Sequence, residues 1–157
     1  MDKQRTQRRS NRDIALRLLE IVNLREFDKL NEVFHEDAVT EWPQSGERVI
    51  GLDDARHIFE SYPNEGPEVK TGELEFVQGD EDRYVLTPMF TMVKAQGNDD
   101  VVTTTMRTRY PDGTDWYIIT IVTVLDGKIS RNVQYFAPVY EAPEWRAQWV
   151  QRTDGPD

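Results

Sequence analysis

The chain has 157 residues, with 29 acidic against 19 basic side chains and a formal charge of -10. That length carries one domain with a substantial core, and the negative surface disfavours DNA, RNA and anionic membranes, whose phosphates need basic side chains to displace their counterions. Without cysteine, and with His35 and His57 as its only histidines, the chain offers no disulfide, no thiolate nucleophile and no His-rich metal centre, so no metal or other cofactor is expected.

In chain order, residues 1–10 are polar and are expected to form a flexible N-terminus. No apolar stretch follows them and no window approaches the run of about eighteen apolar residues that spans a membrane, so a cytoplasmic protein is expected. From Asn11 to Leu24, Ile14, Ala15, Leu18, Leu19 and Val22 recur at helical spacing, with Ser10 or Asn11 available as the cap. A second helix is expected at about Glu26 to Phe34. Asp37 to Trp42 then reads as a strand stopped by Pro43, which has no N–H for a ladder. A third helix, capped by Asp53 or Asp54, turns Ala55, Ile58, Phe59 and Tyr62 inward and leaves His57 on the surface.

Beyond Pro63 the period changes. Strands are expected at Lys70 to Gln78, Tyr84 to Ala95, Val101 to Tyr110, Trp116 to Leu125 and Lys128 to Tyr140, separated by turn-forming clusters. Helices first and an antiparallel meander after predict an α+β fold, three N-terminal helices on one face of a curved antiparallel sheet. One domain is expected over 11–140, followed by a tail, 141–157. Its short helix would set Trp145 and Trp149 on one side, as an anchor onto the body or a partner subunit.

Asp126-Gly127, between two β-branched runs, is a strong hairpin signal. A regular two-residue hairpin opposes Asn132 to Ile121, Gln134 to Ile119 and Phe136 to Tyr117. If Gly97-Asn98 and Asp112-Gly113 centre the other turns, Met89, Met106, Ile119 and Gln134 share one row across the sheet. Methionines, aromatics and two amides on a concave face suit a pocket for a small apolar or aromatic molecule. The expected ligand-binding residues are Trp42, Tyr62, Met89, Met106, Tyr117, Ile119 and Phe136. The opposite face would carry Arg109 near Trp116, Arg107, Arg131 and Tyr135, and is expected to form a homodimer interface.

The stretch F-H-E-D-A-V-T-E-W-P from Phe34 to Pro43, G-L-D-D-A-R from Gly51 to Arg56, and the closing D-G-K-I-S-R-N-V-Q-Y-F resemble the SnoaL-like polyketide cyclase group of the NTF2-like superfamily. R-R-S-N-R at Arg8 to Arg12 and Gly127 to Pro138 also resemble phenazine-biosynthesis A/B proteins. The resemblance implies an NTF2-like (cystatin-like) cone, commonly dimeric, with its pocket inside. It places Gln134 where cyclases carry an acidic residue, Trp42 where ketosteroid isomerases carry a general-base aspartate, Leu18 where they carry an oxyanion tyrosine, and Ile121 or Thr120 near their second acid. An amide cannot transfer a proton at a useful pKa but can hydrogen-bond a carbonyl or enol. Gln134 and Asn132 are therefore the expected catalytic residues of an enzyme that enolises, cyclises or condenses a polyketide-like or cyclic carbonyl compound, a cyclase or isomerase working without metal. The other reading is a non-catalytic ligand-binding or protein-interaction dimer of the same superfamily.

Overall fold

The computed structural model describes residues 10–62, 75–78, 83–86, 90–97, 100–110 and 112–153. Helix α1 (Asn11–Asn23) begins in a capping box: Ser10 Oγ accepts from the Asp13 amide at 3.2 Å and Asp13 Oδ2 accepts from the Ser10 amide at 3.2 Å. Residues 1–9 of the expected flexible terminus lie outside the described residues. The helix buries Ile14, Ala15, Leu16, Leu18, Leu19 and Ile21, a wider face than the predicted stripe. Leu16 and Leu19 pack with Ile118, while Ile14, Ala15, Leu18 and Ile21 join the main core. At its end the Glu26 N–H bonds to Ile21 O at 3.0 Å and the Arg25 N–H to Val22 O at 3.1 Å, with Arg25 at φ 55. This is a Schellman stop with arginine at the left-handed position.

The second helix of the sequence is a 3-10 turn, Phe27–Glu32, that buries Phe27 and Leu30. It is shorter than predicted, because Phe34 already belongs to strand β1 (Phe34–Trp42), where it pairs with Ile129. Strand β2 (Glu47–Ile50) folds back on β1. Gly51, at φ 97, turns the chain into α2 (Leu52–Glu60), which buries Leu52 and Ala55 and leaves His57 exposed.

Strands β3 (Glu75–Gln78) and β4 (Arg83–Leu86) pair as a two-stranded sheet. Strands β5 (Phe90–Gly97), β6 (Val101–Arg109), β7 (Asp115–Leu125) and β8 (Lys128–Pro138) complete a six-stranded sheet in the order β2-β1-β8-β7-β6-β5. The meander is antiparallel, and β1 joins β8 in parallel. The segment read as one strand from Tyr84 to Ala95 is thus two elements in different sheets; Thr87 and Met89, between them, lie outside the described residues.

The registers depart from regular hairpin arithmetic at three places; at the β5–β6 turn Gly97 pairs with Val102, and Met106 pairs with Met92 rather than with the expected Met89. Asp126 and Gly127 both have positive φ, 49 and 82, as a two-residue turn requires, and Val124 pairs with Ile129. The β7–β8 ladder then shifts, so Thr123 pairs with Arg131, Val122 with Asn132, Thr120 with Gln134 and Ile118 with Phe136. Ser130 is the extra residue of a bulge. At the β6–β7 turn Arg109 pairs with Asp115 and Met106 with Ile118, each one residue from expectation. The cause is local: Asp112 Oδ1 accepts from the Thr114 amide at 2.9 Å and from its hydroxyl at 2.6 Å, closing a turn centred on Asp112.

These slips overturn two expectations. Ile119 and Tyr117 pair with Tyr135 and Ala137, and alternate with the inward residues Ile118 and Thr120 rather than sharing their face. Arg109 does not stack on Trp116; it makes a two-point ion pair with Asp115 at 2.8 Å, while Trp116 meets Tyr110 edge-on at 6.0 Å. The tail forms a second 3-10 turn, Glu144–Trp149, with Trp145 and Trp149 72% and 73% exposed, so neither anchors it to the body. No helix among the described residues is long and apolar enough to cross a membrane.

Candidate functional site

Between the helices and the inner face of the large sheet lies a cavity of about 430 Å³. Its helical wall is apolar: Ala15, Leu18, Leu19 and Val22 from α1, then Phe27, and Ala55, Ile58 and Phe59. Residues spaced by two along a strand share a face, so the observed registers arrange the sheet wall in rows. Met106, Ile118 and Phe136 form an apolar row across β6, β7 and β8, and Thr104, Thr120 and Gln134 form a polar row beside it. Thr40 and Trp42 extend the wall on β1.

The geometry of Gln134 is set by Trp42, whose Nε1–H donates to Gln134 Oε1 at 3.0 Å. An indole nitrogen can only donate, so the bonded atom must be the amide oxygen and the other terminus is the Nε2 donor. That donor has no hydrogen-bond partner among the described residues, and Gln134 lines the cavity. The neighbouring loop is clipped to the same strand: Gln44 Nε2 donates to Phe136 O at 2.8 Å and the Phe136 N–H donates to Gln44 Oε1 at 2.6 Å. The side chain of Gln44 continues the ladder where β1–β8 pairing ends, at Glu41 and Val133. Trp42 and Gln134 are therefore held from both backbone and side chain.

A second polar group, the Tyr62 hydroxyl, lines the cavity and hydrogen-bonds the Tyr110 hydroxyl. Burial, and then the bond to Tyr110, push the Tyr62 phenol far above its ordinary value; burial also raises Tyr110, with the bond from Tyr62 offsetting part of the rise. Tyr62 is thus a neutral hydrogen-bonding group rather than a proton acceptor. Two charged residues complete the lining, Arg25 after α1 and Glu47 on β2. Glu47 accepts from the Ser45 hydroxyl, and the Arg25 guanidinium lies 5.4 Å from the centre of the Phe27 ring.

Of the residues singled out from sequence, Trp42, Tyr62, Met106, Gln134 and Phe136 come together on this cavity, and Tyr117 and Ile119 do not line it. Met89 lies outside the described residues. Asn132 is 0% exposed and sits behind the cavity, paired with Thr40 and Val122; neither its amide oxygen nor its nitrogen has a hydrogen-bond partner. The Thr120 hydroxyl is likewise buried without a partner. Leu18, Trp42 and Thr120, the positions matched to an isomerase acid–base set, do line the cavity, but none titrates there. Sequence reasoning missed Thr40, Thr104, Arg25 and Glu47. Its place two residues before Met106 on β6 was a usable signal for Thr104, whereas Arg25 and Glu47 lie at turns whose direction depends on packing.

The profile of the SnoaL-like domain family matches residues 15–132. Among solved structures, an NTF2-like protein of unknown function from Burkholderia xenovorans LB400 is similar at 25% identity and a TM-score of 0.69, over 90% of this chain and 94% of that one. A provisionally named ketosteroid isomerase from Kribbella flavida DSM 17836 is similar at 19% identity and TM-score 0.70, over 92% and 90%. A provisionally named polyketide cyclase from Sinorhizobium meliloti is similar at 17% and 0.55, over 78% and 94%. A comparison with curated proteins finds no match. The last two similarities establish fold alone, the NTF2-like α+β arrangement of helices on a curved sheet.

The tyrosine pair makes stability depend on alkaline pH. A phenol whose folded pKa lies above its unfolded value of about 10 stabilises the fold fully below that pH and loses the contribution as pH rises past it. Thermal unfolding between about pH 9 and 11 should therefore show a falling midpoint that flattens in Tyr62→Phe. An unchanged slope in the variant would show that Tyr62 does not contribute to it.

Proposed function

This chain belongs to the SnoaL-like domain family, and from that premise we propose that it holds a small, flat, largely apolar carbonyl compound in the cavity, with the carbonyl oxygen on Gln134 Nε2. The observation that carries this reading is the Trp42–Gln134 hydrogen bond. It fixes which end of the amide is available, and that end is a donor. A donor oriented before the ligand arrives, in a largely apolar cavity, polarises a carbonyl and stabilises an enolate oxygen more than the same amide would in water. The apolar row Met106, Ile118 and Phe136 faces the α1 leucines across the cavity and supplies the walls for a planar ring system.

Gln134 polarises but cannot move a proton, so binding alone is the simpler function of the site. Enolisation or ring closure of the bound compound is the second reading, and Glu47 favours it as the carboxylate in the lining. A carboxylate at the rim could accept a proton from a carbon next to a carbonyl that Gln134 has polarised. Asn132 takes no ligand contact in either reading.

The other face of the sheet supports an assembly. Tyr117, Ile119, Ile121 and Val133 are partly exposed on β7 and β8, beside the Arg131–Glu41 and Arg109–Asp115 ion pairs. We propose a homodimer through this face, apolar at its centre and charged at its margin.

Calorimetric titration with 2-acetylnaphthalene, against 2-isopropylnaphthalene as the shape match without the oxygen, tests the pocket. The ketone should bind about tenfold tighter, the worth of one net hydrogen bond, and Gln134→Leu should abolish the difference. Equal binding of the two, or none, would sink the reading. In deuterated buffer, exchange of the acetyl protons catalysed by the native protein and lost in Glu47→Gln supports the enzyme; exchange at the uncatalysed rate leaves binding alone. Light scattering on a sizing column should give a dimer, converted to monomer by Ile119→Arg, and a native monomer would remove the proposed interface.

A further inference from the structure

Arg25 holds a backbone conformation that its place in the chain does not favour. It occupies the position after the α1 cap, at φ 55, where glycine is usual because a Cβ crowds the backbone. The two hydrogen bonds of the stop, Glu26 to Ile21 and Arg25 to Val22, are made by backbone groups and would be as good with glycine. A cation beside the end of α1 is favoured by the helix dipole, but that needs no left-handed residue and no particular direction of the side chain. Such strain is most often retained where the side chain it carries has a task.

That side chain is directed to the cavity. Arg25 lines it, its guanidinium lies over Phe27, and Phe27 in turn stacks on Phe59 with ring centres 6.2 Å apart and planes at 15°. The ring takes one face of the guanidinium and leaves its N–H edge open. Although the chain carries 29 acidic residues, Arg25 is in none of the ion pairs among the described residues. Arg17, Lys29, Arg107, Arg109 and Arg131 all have carboxylate partners there. The other charged lining residue, Glu47, belongs to β2 and is engaged by Ser45, so the rim is positive at the end of α1 and negative at β2.

We infer that Arg25 is an oxyanion subsite at the rim, and that the compound held by Gln134 is an amphipathic acid: a ring system in the apolar cavity, a carbonyl on Gln134 and a carboxylate or phosphate on the guanidinium edge. Both anions suit that edge, which can donate two parallel hydrogen bonds to either. The inference rests on the carbonyl-pocket reading and adds a polarity to it. The acid enters with its charged end toward the α1 end of the rim, away from Glu47.

The test compares three probes by calorimetry at low salt: 2-acetylnaphthalene, 6-acetyl-2-naphthoate and 6-acetyl-2-naphthyl phosphate, each with the native protein and with Arg25→Gly. One or both anions should bind at least about tenfold tighter than the neutral ketone, and the tighter of the two identifies the group. Arg25→Gly should bring the anions to the level that the ketone shows in the same variant. Because glycine suits the helix stop, the variant should also unfold at the same temperature or about 2–4 °C higher, which separates a lost ligand contact from a damaged fold. Anions no tighter than the ketone, or a preference that survives Arg25→Gly, would overturn the subsite and leave the carbonyl pocket standing. Failure of all three probes to bind would overturn both.

Discussion

The inner face of this protein depends on one extra residue in the last strand. Side chains alternate along a strand, so with Ile129 fully buried beneath Phe34 a regular β8 would turn Arg131, Val133 and Tyr135 inward. A guanidinium would then enter an apolar core. The bulge at Ser130 resets the alternation: Arg131 points outward to Glu41, while Asn132, Gln134 and Phe136 turn in. Strand β7 alternates without a break, so Val124 beside Ile129 already sets Ile118, Thr120 and Val122 toward the helices, and the shift brings Gln134 and Phe136 onto the same floor.

On that floor the chemistry is organised by hydrogen bonding rather than by titration. The indole of Trp42 orients the amide of Gln134, and Gln44 ties the adjoining loop to Phe136 through two further bonds. Tyr62 is kept neutral by burial and by its partner Tyr110. A site of this kind discriminates by where its donors point. It holds and polarises an oxygen, and any proton transfer must involve the rim, where the charged side chains are.

The polar groups in and behind the floor carry a cost. Asn132 and Thr120 bury hydrogen-bonding atoms without partners, and each such group costs on the order of 1–3 kcal/mol. Arg25 adds backbone strain at the end of α1. Both features lie against the cavity rather than in the main core of Ile14, Leu30, Phe34 and Ile129, where alternation, volume and burial agree.

The sequence by itself determined the class of fold, the capped first helix, the Asp126-Gly127 turn and the inward direction of Gln134 and Phe136, because caps, tight turns and alternation are local effects of side-chain chemistry on the adjacent backbone. It also placed Met106 on the inner face, because two one-residue slips on either side of β7 cancelled in their effect on facing. Only the tertiary structure decided the face of β7, which excluded Tyr117 and Ile119. A bulge is selected by what the rest of the strand must bury, and the turn at Asp112 by a side chain that competes with the ladder; neither is visible in hydrophobic period alone. The pairing of Trp42 with Gln134, and the meeting of Arg25 with Phe27 and Phe59 at the rim, likewise come from packing elements that are distant in the chain.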